Sequence, residues 1–342
     1  MDEQRFTRRG LLGTAALAAA GPTLLSFPAG ASPTIRRLSP ALDRVIAPGT
    51  RIEVIATGIS WAEGPVWLPQ QKALLFSDPP ANVIRRWTRR GGVSEMLRPS
   101  GAAAFDPELV REPGANGLAL DGVGGLVIAD SGNRALARLD LRTGRRTTLV
   151  DRYRGKRFNS PNDLHVAVDG ASWFTDPPYG LAARDDSPLK ELPHNGVYRW
   201  RPGSEPALID DQLTLPNGIA LAPGGRRLFV SVSDEAEPRI MVYDLDARGH
   251  PRDRRVFLDA RPLASRGEPG LPDGMKIAAD GTMFCSGPGG LHVLTPEGER
   301  LGLVTHGAPI ANCAFGEDGR TLFLAANDRV LRLPLRIDAR SA

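Results

Sequence analysis

The chain has 342 residues, 41% of them apolar, enough to bury the core of one large domain or two ordinary ones. Its 43 basic and 39 acidic residues nearly cancel, and no basic run is interleaved with aromatics, so a nucleic-acid partner is not indicated. Glycine (38) and proline (30) are plentiful and evenly spread, as in a chain of many short strands joined by tight turns.

The first segment, 1–31, reads as a targeting sequence. Arg8-Arg9 precedes a mildly apolar stretch from Leu11 to Phe27, and Ala29-Gly30-Ala31 supplies an A-x-A cleavage site. Gly21-Pro22 interrupts the stretch, which is too short and too weakly apolar for a stable membrane span. The twin arginines followed by Gly-Leu-Leu resemble a Tat signal, which implies the Tat export machinery as partner and a periplasmic or secreted location. Residues 32–50 form an N-terminal extension before the folded domain, 51–342.

Within that domain a strand, "RIEVIATG" (51–58), comes first. Then one unit repeats six times: a polar head residue, an alternating apolar strand, a Gly-rich or Asp-Gly turn, and a second strand. The heads are Glu63, Asn116, Asn162, Asn217, Asp273 and Asn312, spaced 53, 46, 55, 56 and 39 residues apart. This period fits one four-stranded blade per repeat of a propeller. The predicted fold is therefore all-β, a six-bladed β-propeller of four-stranded blades. The tail "DRVLRLPLRID" (328–338) finishes the last repeat, and residues 51–58 are expected to supply its outermost strand and close the ring, since an open edge is a liability. Cys285 and Cys313 lie inside apolar strand patterns, which favours buried free thiols, although an oxidising compartment permits a disulfide.

First strands of propeller blades line a central channel, so all six heads fall on one face and point at the axis. Second strands run antiparallel and return to that face, bringing Asp78, Asp130, Asp176 and Asp234 behind the heads. A single Asn-Gly is an ordinary turn former, and Gly218 reads as a turn residue. Glu63 is not a turn residue, and burying it in a ring requires a partner. Two carboxylates, Glu63 and Asp273, with several amide oxygens make a site for a hard dication. Ca2+ suits it best, with Mg2+ or Mn2+ possible. The five histidines lack ligand spacing, although Zn2+ can still occupy an oxygen site.

"AEGPVW", "NSPNDLHVAVDGASWFTDPPYG", "LPNGIALAPGGRRLFV", "LPDGMKIAADGTMFCSGPGG" and "ANCAFG", in this order from about residue 50 onward, closely resemble the gluconolactonase / senescence-marker-protein (regucalcin) / luciferin-regenerating-enzyme-like family, and its bacterial exported gluconolactonases in particular. The resemblance implies four metal ligands, Glu63, Asn162, Asn217 and Asp273, with Asp273 also as general base. In some members the first Asn also contacts substrate, so Asn162 fits either role. An Arg that animal members place close before that Asn is replaced here by Ser160, and its contact does not carry over.

The activity implied is metal-dependent hydrolysis of a sugar lactone, with the metal polarising the lactone carbonyl and a carboxylate activating water. No G-x-S-x-G elbow is present for a serine nucleophile. Asn116, Asp163, Asp176, Tyr179 and Asn312 are the expected substrate contacts or supports of the ligands, and loop 180–194 is the expected lid. Two alternatives use the same architecture: a phosphotriesterase-like hydrolase on the same metal site, or a non-catalytic exported propeller binding Ca2+ or a carbohydrate.

Overall fold

A computed structural model describes residues 32–340. The expected signal segment, 1–31, lies outside the described residues. Six four-stranded antiparallel sheets follow one another as blades, opened by the strands Glu63–Leu68, Leu118–Leu120, Leu164–Val166, Pro216–Leu221, Met275–Ile277 and Asn312–Gly316. These opening strands touch one another in sequence around the ring, and that of blade 6 packs on that of blade 1, so they are the innermost.

The ring closes as the sequence predicts. Glu53–Thr57 pairs antiparallel with Arg329–Pro334 and becomes the outermost strand of blade 6, so the two ends of the propeller share one sheet. Further upstream, Thr34–Arg37 adds a fifth strand to blade 5 against Arg300–Thr305. A 3-10 turn over Pro40–Arg44, capped by Ser39, then inserts the fully buried Leu42 between blades 5 and 6.

Each blade is apolar on both faces, because each face packs on a neighbouring blade. Second strands accordingly read as continuous buried runs, for example Ala73–Asp78 and Thr321–Ala326, rather than as alternating patterns. The core is therefore divided among six clusters, one between each pair of adjacent blades. At the closure, Trp67 of blade 1 stacks on Phe323 of blade 6 with centroids 5.4 Å apart. Outer strands are the exposed ones: Pro251–Asp259 in blade 4 is mostly exposed and carries Arg252, Arg254 and Arg255. Cys285 and Cys313 are both buried free thiols. Among the described residues no helix is long and apolar enough to cross a membrane.

Candidate active site

The head residues sit at the first residue of an inner strand or within two residues of it. Glu63, Asn116, Asn162, Asn217 and Asn312 are between 2% and 7% exposed, too buried for surface turns. Asp273 is only partly buried. The glycine that follows four of the six heads has a packing reason. A Cβ on Gly64 would lie 2.1 Å from Asn116 O, one on Gly218 2.2 Å from Asp273 O, and one on Gly274 2.1 Å from the Asn312 side chain. Glycine at these positions lets each blade approach the head of the next. Gly218 is thus a strand residue at an interblade contact, not the turn residue that Asn-Gly suggests, and only Gly64 of this set has positive φ.

Hydroxyls complete the interblade stitching. Ser77 Oγ donates to Asn116 O at 2.7 Å, Thr175 Oγ1 to Asn217 O at 2.6 Å and Ser231 Oγ to Asp273 O at 2.6 Å. Each hydroxyl belongs to the second strand of one blade and fixes the head of the following blade. In blades 1 and 3 the next residue is a clamp within the same blade. Asp78 accepts from Ser60 N and Trp61 N, three and two residues before Glu63. Asp176 accepts from Asn159 N at 2.8 Å and Ser160 N at 2.9 Å, at the same offsets before Asn162. Asp176 therefore lies behind the ring as a support for Asn162, fully buried, and burial pushes its carboxyl up to about 7. Asp130 and Asp234 are likewise committed to nearby backbone N–H groups. The sequence signal for this device was the repeated Ser/Thr-Asp-Pro-Pro at 77–80 and 175–178, whose hydroxyl partner in the next blade is invisible without the ring.

Charge is concentrated at the axis. Glu63 is pushed up to about 7, by burial first, with the negative charge of Asp163 adding to it. Burial, then Glu63, then Asp163 hold the Asp273 carboxyl well above the usual carboxylate range. Asp163 occupies the position taken by glycine after most heads, and its oxygens accept from Leu164 N at 2.9 Å and Ile219 N at 3.3 Å. Asn312 Nδ2 donates to Glu63 Oε2 at 3.3 Å. Lys276 is the cation that offsets Asp163.

Among the described residues, no three of His, Cys, Asp and Glu gather as a ready-made ligand set. The oxygens that fit a cation are mixed, two carboxylates with amides. Asn217 Nδ2 donates to Ser233 Oγ at 2.9 Å, which leaves its Oδ1 as a buried oxygen without a partner among the described residues, and Asn116 Oδ1 is in the same condition. Such an orphan costs roughly 1–3 kcal/mol. Mutually repelling carboxylates beside orphaned amide oxygens are the environment that a hard divalent cation satisfies, and the absence of His and Cys from the set suits Ca2+ or Mg2+ better than a softer ion.

Tyr179 reaches the same face. Its ring is packed under Arg184, with the guanidinium carbon 5.9 Å from the centroid, and its buried hydroxyl lies near Ser233 and Asp273. The loop expected as a lid is anchored at its start: Val110 and Leu181 form an antiparallel bridge, with Arg111 N on Gly180 O at 2.9 Å and Ala182 N on Leu109 O at 3.0 Å. Glu112, from the loop on the other side of that bridge, also feels Tyr179 and Asp273, and sequence reasoning had not placed it at the site.

Fold and site together define a six-bladed propeller with a buried carboxylate and amide cluster on its axis. The chain belongs to the SMP-30/Gluconolactonase/LRE-like family, whose characteristic region matches residues 61–327. It is 48% identical over 303 residues to a gluconolactonase of Zymomonas mobilis subsp. mobilis, across 87% of this chain and 85% of that protein. A solved gluconolactonase structure from Xanthomonas campestris is similar at TM-score 0.76 and 32% identity, covering 88% of this chain and 94% of that one. The calcium-binding protein regucalcin from Agrobacterium tumefaciens shares the fold at TM-score 0.65 and 18% identity, over 85% of this chain and 96% of that one.

Proposed function

We propose that the protein is a metal-dependent hydrolase that opens a sugar lactone of the aldono-1,5-lactone type. The observation that carries this reading is the convergence of Glu63 and Asp273, both held above the usual carboxylate range, with the orphaned Asn217 Oδ1 on one face of the ring. The 48% identity to a gluconolactonase supports the substrate class. Glu63, Asn162, Asn217 and Asp273 would hold the cation, Ca2+ in the first instance, and their two carboxylates balance its two charges. When bound, the cation polarises a lactone carbonyl and stabilises the oxyanion that develops there.

The chain's own residues supply the rest. Asp273, only partly buried, accepts a proton at a carboxylate oxygen from the attacking water. The contact of Gly218 with Asp273 O and the hydroxyl of Ser231 on the same carbonyl fix where that carboxylate stands. Asn312 orients Glu63, and Asp163 ties the backbone beyond Asn217 to that beyond Asn162. The Tat-like segment supports a periplasmic or secreted site of action.

The test is hydrolysis of D-glucono-1,5-lactone by the mature protein before and after EDTA, beside Asp273→Asn and Glu63→Gln. Turnover that survives chelation and both substitutions would sink the metal mechanism. Absence of turnover on any lactone would sink the lactonase reading.

A further inference from the structure

Tyr179 holds a buried polar atom that the site as described does not use. Its hydroxyl is enclosed and has no hydrogen-bond partner of ordinary geometry among the described residues. Ser233 Oγ, close by, gives its proton to Pro272 O at 2.5 Å and accepts from Asn217 Nδ2 at 2.9 Å, so it has no proton for Tyr179 and one lone pair left to offer. An enclosed phenol normally finds a partner, because leaving it unpaired costs about 1–3 kcal/mol. A packing role alone would be served by phenylalanine.

The backbone that carries this hydroxyl is fixed on both sides. Ser160 Oγ donates to Pro177 O at 2.6 Å and accepts from Gly180 N at 2.9 Å. A Cβ at Gly180 would stand 2.7 Å from Ser160 Cβ, so the close contact with Ser160 requires glycine. The bridge between Val110 and Leu181 then clasps the segment to the neighbouring loop, and Arg184 covers the ring. The phenol is thus held at a set position near Ser233, which itself bonds Asn217, and close enough to Asp273 to feel its charge. Preorganised donors of this kind discriminate strongly, since a substrate lacking the matching group leaves the protein's polar atom unpaired.

We propose that Tyr179 is a specificity-determining residue whose hydroxyl hydrogen-bonds a hydroxyl group of the substrate, so that the site selects polyhydroxylated lactones over unsubstituted ones of the same ring size. This rests on the lactonase reading above. The experiment compares D-glucono-1,5-lactone with δ-valerolactone in the wild type and in Tyr179→Phe, which removes one oxygen and keeps the ring. The expected result is a fall in kcat/KM of at least about 10-fold on the hydroxylated lactone with δ-valerolactone changed less than about 2-fold. Equal losses on both substrates would show a structural role and overturn the inference, as would no change on either. A wild type inactive on both lactones would overturn the parent reading, and this inference with it. A wild type active on both, with its preference intact in Tyr179→Phe, would overturn the inference alone.

Discussion

Asn312 Nδ2 donates to Glu63 Oε2 at 3.3 Å, so the head of the last blade holds the carboxylate of the first. The contact spans the seam at which the propeller closes, where the outermost strand of blade 6 comes from the N-terminal side of Glu63. Asn312 Oδ1 also accepts from Cys313 N at 2.8 Å, so its amide is fixed at both ends. Ring closure and orientation of a candidate ligand are therefore one event.

Replacing Asn312 by alanine should leave the fold intact and loosen Glu63. Supports of this kind typically contribute 10- to 100-fold in metal affinity, and a loss of about that size in Ca2+ affinity is expected for Asn312→Ala. Calcium titration calorimetry on protein with unchanged circular dichroism checks it. Unaltered affinity would mean that Glu63 is held by Gly64 N and burial alone.

Gly218→Ala places a Cβ 2.2 Å from Asp273 O, well inside van der Waals contact, and must push blade 4 from blade 5. A shift near 1 Å at a reacting group costs on the order of 100-fold in rate. Lactonase kcat/KM should fall by about that factor. Gly224→Ala is the control: it has φ +82° and no neighbour within 4 Å, so it should cost only left-handed strain of about 1–2 kcal/mol in stability, with activity retained.

Asp78 and Asp176 make the same clamp in blades 1 and 3, and the cost of removing each should follow the burial of the N–H groups it leaves unpaired. Asp176→Ala leaves Asn159 N and Ser160 N without their acceptors, and Asp78→Ala does the same to Ser60 N and Trp61 N. Asn159 and Ser160 are buried whereas Ser60 is exposed, so at roughly 1–3 kcal/mol per buried orphan Asp176→Ala should lose about 3 kcal/mol in denaturant unfolding and Asp78→Ala less. A cost below about 1 kcal/mol in Asp176→Ala would remove the clamp from the account of how the heads are positioned.

His292 predicts a pH effect on stability. It is fully buried, accepts from Arg300 Nε at Nδ1 and bonds Pro288 O through Nε2, and burial, with Arg300 adding, pushes it down to about 4 from an ordinary 6.5. Between those values the unfolded chain binds a proton that the folded chain does not. The contribution of His292 to stability is therefore complete above pH 6.5 and is lost as pH falls toward 4, by up to about 1.4 kcal/mol per pH unit. Buried carboxylates such as Asp176 act in the opposite sense, so the wild type alone does not isolate the effect. His292→Gln keeps a donor and an acceptor without titrating. Its unfolding free energy should fall less steeply than the wild type's between pH 6.5 and 4, and parallel profiles would refute the assignment.

The fold was legible because its signal is local and repeated. Polar head, alternating strand, turn and second strand recur six times at blade spacing, and each part reflects backbone and side-chain preferences over a few residues. The closing strand at Glu53–Thr57 could be assigned from the need to pair an edge. Thr34–Arg37 could not, because its pairing partner, Arg300–Thr305, is far away in sequence and blade 5 is already complete without it. Glu63 stood out as a carboxylate where turn chemistry has no use for one, whereas Asp273, in an ordinary Pro-Asp-Gly, stood out only by its place among the six heads. Gly218 was misread because glycine in a turn and glycine under a neighbouring carbonyl look alike in one dimension.

The sequence by itself determined which residues head the blades and that the heads share a face, since alternation and antiparallel return are properties of each repeat. Only the tertiary structure decided what those heads meet. Ser77, Thr175 and Ser231 reach into the next blade, Asn312 reaches Glu63 across the seam, and Tyr179 is carried to Asp273 by a bridged pair of loops. Those contacts join residues tens to hundreds of positions apart. They exist only once the ring has closed and burial has raised the cost of every unpaired charge and amide on its axis.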